Sequence, residues 1–158
     1  MKKLVKLLEE NARLTHEELG AMLDLTPEQI KKEIKSLEKK GIVKGYRAIV
    51  NWDKIDDKHV TAIIELKVSP KKEFGFDEIA EKIVCFSEVE SVYLMSGGYD
   101  LSVIINGKTF QDIAMFVACR LSTLDSVLST ATHFVLKRYK DRSLSFKDES
   151  LDERSTIL

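Results

Sequence analysis

Apolar residues recur along this chain in two rhythms. Up to about residue 50 they fall three and four apart, the spacing of one helix face; beyond it, alternating stretches are interleaved with helical ones. Leu4, Val5, Leu7 and Leu8 give a short first helix with one apolar stripe. Thr15 to Glu18 matches a capping box, in which the threonine hydroxyl and the Glu18 carboxylate satisfy opposite free amides, and Leu19, Met22 and Leu23 continue as a second helix. After Leu25, Thr26 to Gln29 forms another capping box, with Pro27 at the first helical position where a missing N–H costs nothing. The third helix runs to about Lys40 and stops at Gly41. Ile30, Ile34 and Leu37 make its stripe; Gln29, Lys31, Lys32, Lys35, Ser36 and Lys39 fall away from it. Residues 42–50 offer two short strands around Gly45, which would serve as a wing.

The second rhythm starts after a polar linker, residues 51–58, with Trp52 as its anchor. From His59 to Val68, alternate residues Val60, Ala62, Ile64, Leu66 and Val68 share one face of a strand, and Ile63 keeps the other face from being wholly wet. Pro70 ends it. Phe76, Ile79, Ala80 and Ile83 give a helix. Val89 to Met95 and Leu101 to Ile105 are β-branched, apolar runs joined by Ser96, Gly97, Gly98, Tyr99 and Asp100. Paired glycines there read as a hairpin connection with positive φ, and as bare backbone that a small molecule can approach. Thr109 caps a helix with Phe110, Ile113, Ala114, Val117 and Leu121 on its apolar side. Val127 to Lys137 is the last strand, with Thr130, Thr132, Phe134 and Leu136 on one face and Ala131, His133 and Val135 on the other. The tail, residues 139–158, is charged and weakly patterned; it is expected either to be mobile or to pack across a dimer through Leu151, Ile157 and Leu158.

These elements predict an α+β chain. Residues 1–50 form a winged helix-turn-helix; 51–58 are the linker; 59–138 form a β-α-β-β-α-β unit of ferredoxin-like type; 139–158 are the tail. Right-handed crossovers put both helices of that unit on one sheet face. The other face then needs a second layer, which another copy would supply as a homodimer.

Composition changes the picture in one respect. Hydrophobic content is 44%, charged content 32% and the formal net charge −1, all ordinary for a packed soluble chain. The charge is unevenly placed, however. Residues 1–50 carry 11 basic against 8 acidic groups, residues 51–158 carry 14 against 18, and residues 26–47 alone carry seven against three. A basic segment on an otherwise acidic chain points to a polyanion contact. With two capped helices and a wing, the polyanion expected is double-stranded DNA. The expected contact residues are Thr26, Glu28, Gln29, Lys31, Lys32, Lys35, Lys39 and Arg47; Gln29 is the candidate base reader, because its amide can pair bidentately with adenine.

Other chemistry is thinly represented. No eighteen-residue apolar run predicts a membrane span, and Glu9, Glu10 and Arg13 interrupt the opening apolar run too early for a signal peptide, so a cytoplasmic chain is expected. Cys85 and Cys119 stand singly in apolar runs and read as buried free thiols rather than a disulfide or metal pair. His16, His59 and His133 share no ligand spacing, and no nucleophile set, phosphate loop or paired-carboxylate motif stands out. Neither an enzyme nor a bound metal or cofactor is expected.

Three segments carry a family resemblance: LEKKGIVKGYRAIVN at the third helix and wing, SGGYDL at the hairpin, and LDSVLSTATHFVLKRYK around the last strand. Together they resemble the Lrp/AsnC family of bacterial and archaeal regulators over nearly the whole chain. The resemblance implies transcription factors that respond to amino acids and form dimers, often assembled into rings such as an octamer of four dimers. It also implies an effector pocket between dimers, which carries over here to Ser96, Gly97, Gly98, Tyr99, Asp100, Thr130 and Thr132. The residue types suit a zwitterion: the glycine loop offers N–H groups to a carboxylate, while Asp100 and the threonine hydroxyls offer oxygens to an ammonium. The chain departs from the family at Glu33, where a basic residue is frequent, and in a first helix that is short at its N-terminus. The alternatives are an architectural DNA-binding protein without effector and, further off, a sirohaem-decarboxylase-like enzyme.

Overall fold

The computed structural model describes residues 1–55, 58–70 and 75–147. Asp56, Asp57 and the apolar tail positions Leu151, Ile157 and Leu158 lie outside the described residues. The chain divides into two compact units, Met1–Ile49 and Val50–Leu158.

The first unit has three helices: α1 (Lys2–Glu10), α2 (His16–Leu23) and α3 (Pro27–Lys39). Both capping boxes form. Thr15 Oγ1 accepts from the Glu18 amide at 3.1 Å while Glu18 Oε2 accepts from the Thr15 amide at 2.7 Å. Thr26 and Gln29 repeat the exchange at 3.3 and 2.8 Å. Each such cap contributes about 1 kcal/mol. At the other end of α3, Gly41 has φ +66°, its N–H bonds to the Glu38 carbonyl, and the Ile42 N–H bonds to Leu37, both at 2.9 Å. That is a Schellman closure, as the glycine predicted. Leu4, Leu8, Leu19, Ile30 and Leu37 form the core. Met22 does not join it and is 57% exposed, because the two-turn α2 centres its buried face on Leu19 with Leu23 half-buried beside it.

The paired strands expected for a wing are not formed: residues 44–51 carry no strand pairing among the described residues. A tight hairpin turn needs positive φ at a central residue, and Gly45 does not adopt it. The segment is instead tied to α3 by Tyr46, whose hydroxyl donates to Glu38 Oε1 at 3.0 Å.

The second unit follows a 3₁₀ turn at Trp52–Lys54. Its elements are β1 (Val60–Val68), α4 (Asp77–Val84), β2 (Val89–Leu94), β3 (Leu101–Gly107), α5 (Phe110–Phe116, continued by a π-type turn to Leu121) and β4 (Val127–Phe134). The strands form one antiparallel sheet in the order β2-β3-β1-β4. Ala62, Ile64 and Leu66 of β1, with Leu101, Val103 and Ile105 of β3, share a core with Ile79 and Ile83 of α4 and Ile113, Phe116, Val117 and Leu121 beyond β3. Both helices therefore cover one sheet face. On the other face Ile63 lies opposite Ile104 and His133, and Glu65 opposite Ser102 and Ala131.

Four expectations are corrected here. Phe110 is 56% exposed, standing edge-on to Phe134, and Ala114 is exposed too; Phe116 takes the core position. The last strand stops at Phe134, and Leu136 is 90% exposed. Both cysteines are exposed. Cys85 caps α4 past its last buried turn, where Val84 is also exposed, so apolar sequence neighbours were a poor guide. The tail opens with structure: β5 (Lys140–Asp141) pairs with β6 (Leu144–Ser145) through Arg142 and Ser143, both at positive φ. Arg-Ser lacks the Asn-Gly signature of such a turn, which hid the hairpin in the sequence.

Candidate nucleic-acid interface and effector site

α3 is built to present a charged row. With Ile30, Ile34 and Leu37 turned inward, Glu28, Lys32, Lys35 and Lys39 fall on the opposite side, spaced three and four apart. Thr26, Gln29, Lys31 and Arg47 are exposed as well, so all eight expected contact residues reach solvent. Gln29 is not an idle side chain: its carboxamide oxygen is engaged by the Thr26 amide. Reading adenine with both amide atoms would require release of that cap. Glu33, the departure from the family pattern, is also exposed.

The turn before α3 depends on a residue the sequence reading passed over. The Leu25 N–H bonds back to the Gly20 carbonyl at 3.0 Å, and a Cβ on Gly20 would lie 2.6 Å from the Leu25 carbonyl oxygen. The available signal was a glycine inside a helix, which costs about 1 kcal/mol relative to alanine and so calls for a packing reason. Tyr46 was the other omission. Its partial burial, followed by its bond to Glu38, holds the phenol above its ordinary value.

In the second unit, the Met95 N–H bonds to the Asp100 carbonyl at 2.8 Å and closes a loop over Ser96, Gly97, Gly98 and Tyr99. Ser96, Gly97 and Gly98 are exposed; Tyr99 and Asp100 are half-buried. The expected positive φ is absent at both glycines, and a Cβ built on either meets nothing within 4 Å. Nothing among the described residues requires glycine there. Asp100 is an anchor: its N–H donates to the Leu66 carbonyl and its Oδ2 accepts from the Val68 N–H, both at 2.9 Å. Its Oδ1 has no partner among the described residues.

Thr130 pairs with Leu66 across β1, so Asp100 and Thr130 meet at one end of the sheet, two strand spacings or roughly 10 Å apart. Thr132 lies one pair further along, opposite Ile64. Both threonines are half-buried on the helix-covered face. No group of three or more His, Cys, Asp or Glu suited to a metal ion occurs among the described residues. Nor is any described helix long and apolar enough to cross a membrane.

Comparison with known proteins agrees with this geometry. Residues 1–44 match the winged helix-turn-helix DNA-binding family and residues 61–145 the Lrp/AsnC ligand binding domain. The chain is 46% identical over 155 residues to the HTH-type transcriptional regulator YugG of Bacillus subtilis, covering 98% of this chain and 93% of that one. It is 30% identical over 137 residues to the regulator LrpA of Pyrococcus abyssi, covering 87% and 94%. Among solved structures, the L-Met complex of transcriptional regulator NMB0573 from Neisseria meningitidis superposes with a TM-score of 0.71 at 26% identity, over 94% and 95% of the two chains. Escherichia coli AsnC, at 22% identity and a TM-score of 0.67 over 89% and 93%, shares the fold. These relatives are regulators by name, not enzymes. With both units matched and almost the full length aligned to such a regulator, the chain belongs to the Lrp/AsnC family of DNA-binding transcriptional regulators.

Proposed function

We propose that the protein is an amino-acid-responsive regulator that reads double-stranded DNA with α3 and holds its effector at the Ser96–Asp100 loop. The observation that carries the effector reading is the pair of glycines that nothing in the chain explains. Neither φ nor internal crowding requires them, so their bareness serves an approach from outside. An anchored Asp100 keeps the loop in place and leaves one carboxylate oxygen for an ammonium. The related structure with L-methionine bound supports an amino acid as the class of effector.

The protein acts in the cytoplasm as a homodimer, which can assemble further into an octamer of four dimers with the effector between dimers. Support comes from the sheet face turned away from α4 and α5, where Ile63 is 37% exposed and Ile104 half-buried. Lys31, Lys32, Lys35 and Lys39 neutralise phosphates, each lost contact reducing the salt slope of binding by about one.

Calorimetric titration of the twenty amino acids against wild type, Gly98→Val and Asp100→Asn tests the reading. Asn keeps an acceptor for Val68 and removes the charge. One amino acid should bind the wild type and both variants should bind it less well, while DNA binding survives. Equal binding by both variants would place the pocket elsewhere. No binding at millimolar concentration would leave an architectural DNA-binding role.

A further inference from the structure

At the opposite end of β1 from the glycine loop, roughly 20 Å away along the strand, the second unit has a half-open cavity of about 50 Å³. Asn51, Trp52 and His59 line it from the chain before β1, and Lys137, Arg138 and Phe146 from the chain after β4. No residue of the glycine loop takes part.

Its chemistry is specific. Asn51 Oδ1 is buried and has no hydrogen-bond partner among the described residues, an arrangement that proteins rarely leave unmet. Trp52 and His59 stack with centroids 5.1 Å apart at 19°, giving a flat wall. Among the described residues, two cations share the lining with a single acid, Asp53. The Lys137 ammonium lies 5.1 Å from the Tyr139 ring and makes no ion pair among the described residues. The Arg138 guanidinium lies over the Phe146 ring at 5.6 Å, with Nη1 3.5 Å from Asp141 Oδ2. One water needs about 10–15 Å³ of such space, so the cavity takes only a few heavy atoms.

We propose that this cavity binds a carboxylate of two or three carbons that bears a hydroxyl or ammonium beside the carboxyl group. The carboxylate meets Lys137 and Arg138, the adjacent donor meets Asn51 Oδ1, and the carbon body lies against the Trp52–His59 wall. Glycolate and glycine are the simplest members; acetate has the same carboxylate without the donor. The site is independent of the effector loop. It lies on the segment that begins at Val50, directly after the last residue of the DNA-binding unit.

Trp52 is the sole tryptophan of the chain and lines this cavity, so its emission reports on it. Full-length protein is titrated with glycolate, glycine and acetate. Glycolate or glycine should give a saturable change, and which of the two acts identifies the donor; acetate should bind about tenfold more weakly. Lys137→Ala, at an exposed position, should weaken binding about tenfold, Asn51→Leu should abolish the preference over acetate, and Gly98→Val should change nothing. If Asn51→Leu does not fold, Lys137→Ala and the acetate comparison carry the test. The proposal is overturned by no saturable response at tens of millimolar, by equal response to acetate and glycolate, or by loss of response in Gly98→Val. It is also overturned if ligand-free emission tracks protein concentration, which would mark the cavity as a contact between copies.

Discussion

The DNA-binding unit and the sheet unit hold themselves together differently. The first buries Leu4, Leu8, Leu19, Ile30 and Leu37 and little else, as expected of a chain of some fifty residues. It leans on devices at its helix ends: two capping boxes, the Gly41 closure and the tight return past Gly20. The sheet unit spreads its core over two strands and two helices, so no single end matters as much. The glycines show the same contrast. Gly20 and Gly41 are dictated by their own chain, whereas Gly97 and Gly98 are not.

The largest effect that would sharpen this contrast is expected from Leu37→Ala. Leu37 is fully buried and its carbonyl accepts the Ile42 N–H. Its loss should cost about 2–5 kcal/mol, a large share of what so small a unit has. In urea, helical circular dichroism should lose amplitude early while Trp52 emission, which reports the sheet unit, keeps its midpoint. A shared shift of both signals would show that the units do not melt separately.

Next comes a pair of glycine substitutions. Gly20→Ala gains helix propensity, yet its Cβ meets a backbone oxygen at 2.6 Å, so a net loss of about 1–3 kcal/mol is expected. Gly98→Ala meets nothing and should change stability by no more than about 0.5 kcal/mol. Thermal melts of the two variants decide it, and equal losses would break the comparison.

The smallest effect belongs to Tyr46. Its phenol titrates above the usual 10.0 through burial and the Glu38 bond. A raised value means that the stabilisation is fully present below pH 10.0 and is lost as pH rises through the folded value. Tyr46 is 48% exposed, so Tyr46→Phe should cost less than about 1 kcal/mol. The wild-type advantage over Tyr46→Phe should shrink in melts as pH rises through the raised phenol value, and an advantage undiminished once the phenol is ionised would remove the bond as its cause.

By itself the sequence determined what depends on neighbours a few residues apart. Capping boxes, the Gly41 stop, the apolar stripe of α3 and the alternation of β1 are local patterns, and the structure repeats them. The strand order followed as well, because two apolar helices and four strands in β-α-β-β-α-β succession leave few ways to cover one sheet face. Only the tertiary structure decided matters that rest on contacts between distant residues or on backbone angles. It showed that Gly45 makes no wing hairpin and that Gly97 and Gly98 are free of positive φ. It turned Asp100 toward Val68 and brought Asn51 to a cavity shared with Lys137. A side chain's sequence neighbours state its chemistry; whether that chemistry is already spent on a partner depends on packing thirty or more residues away.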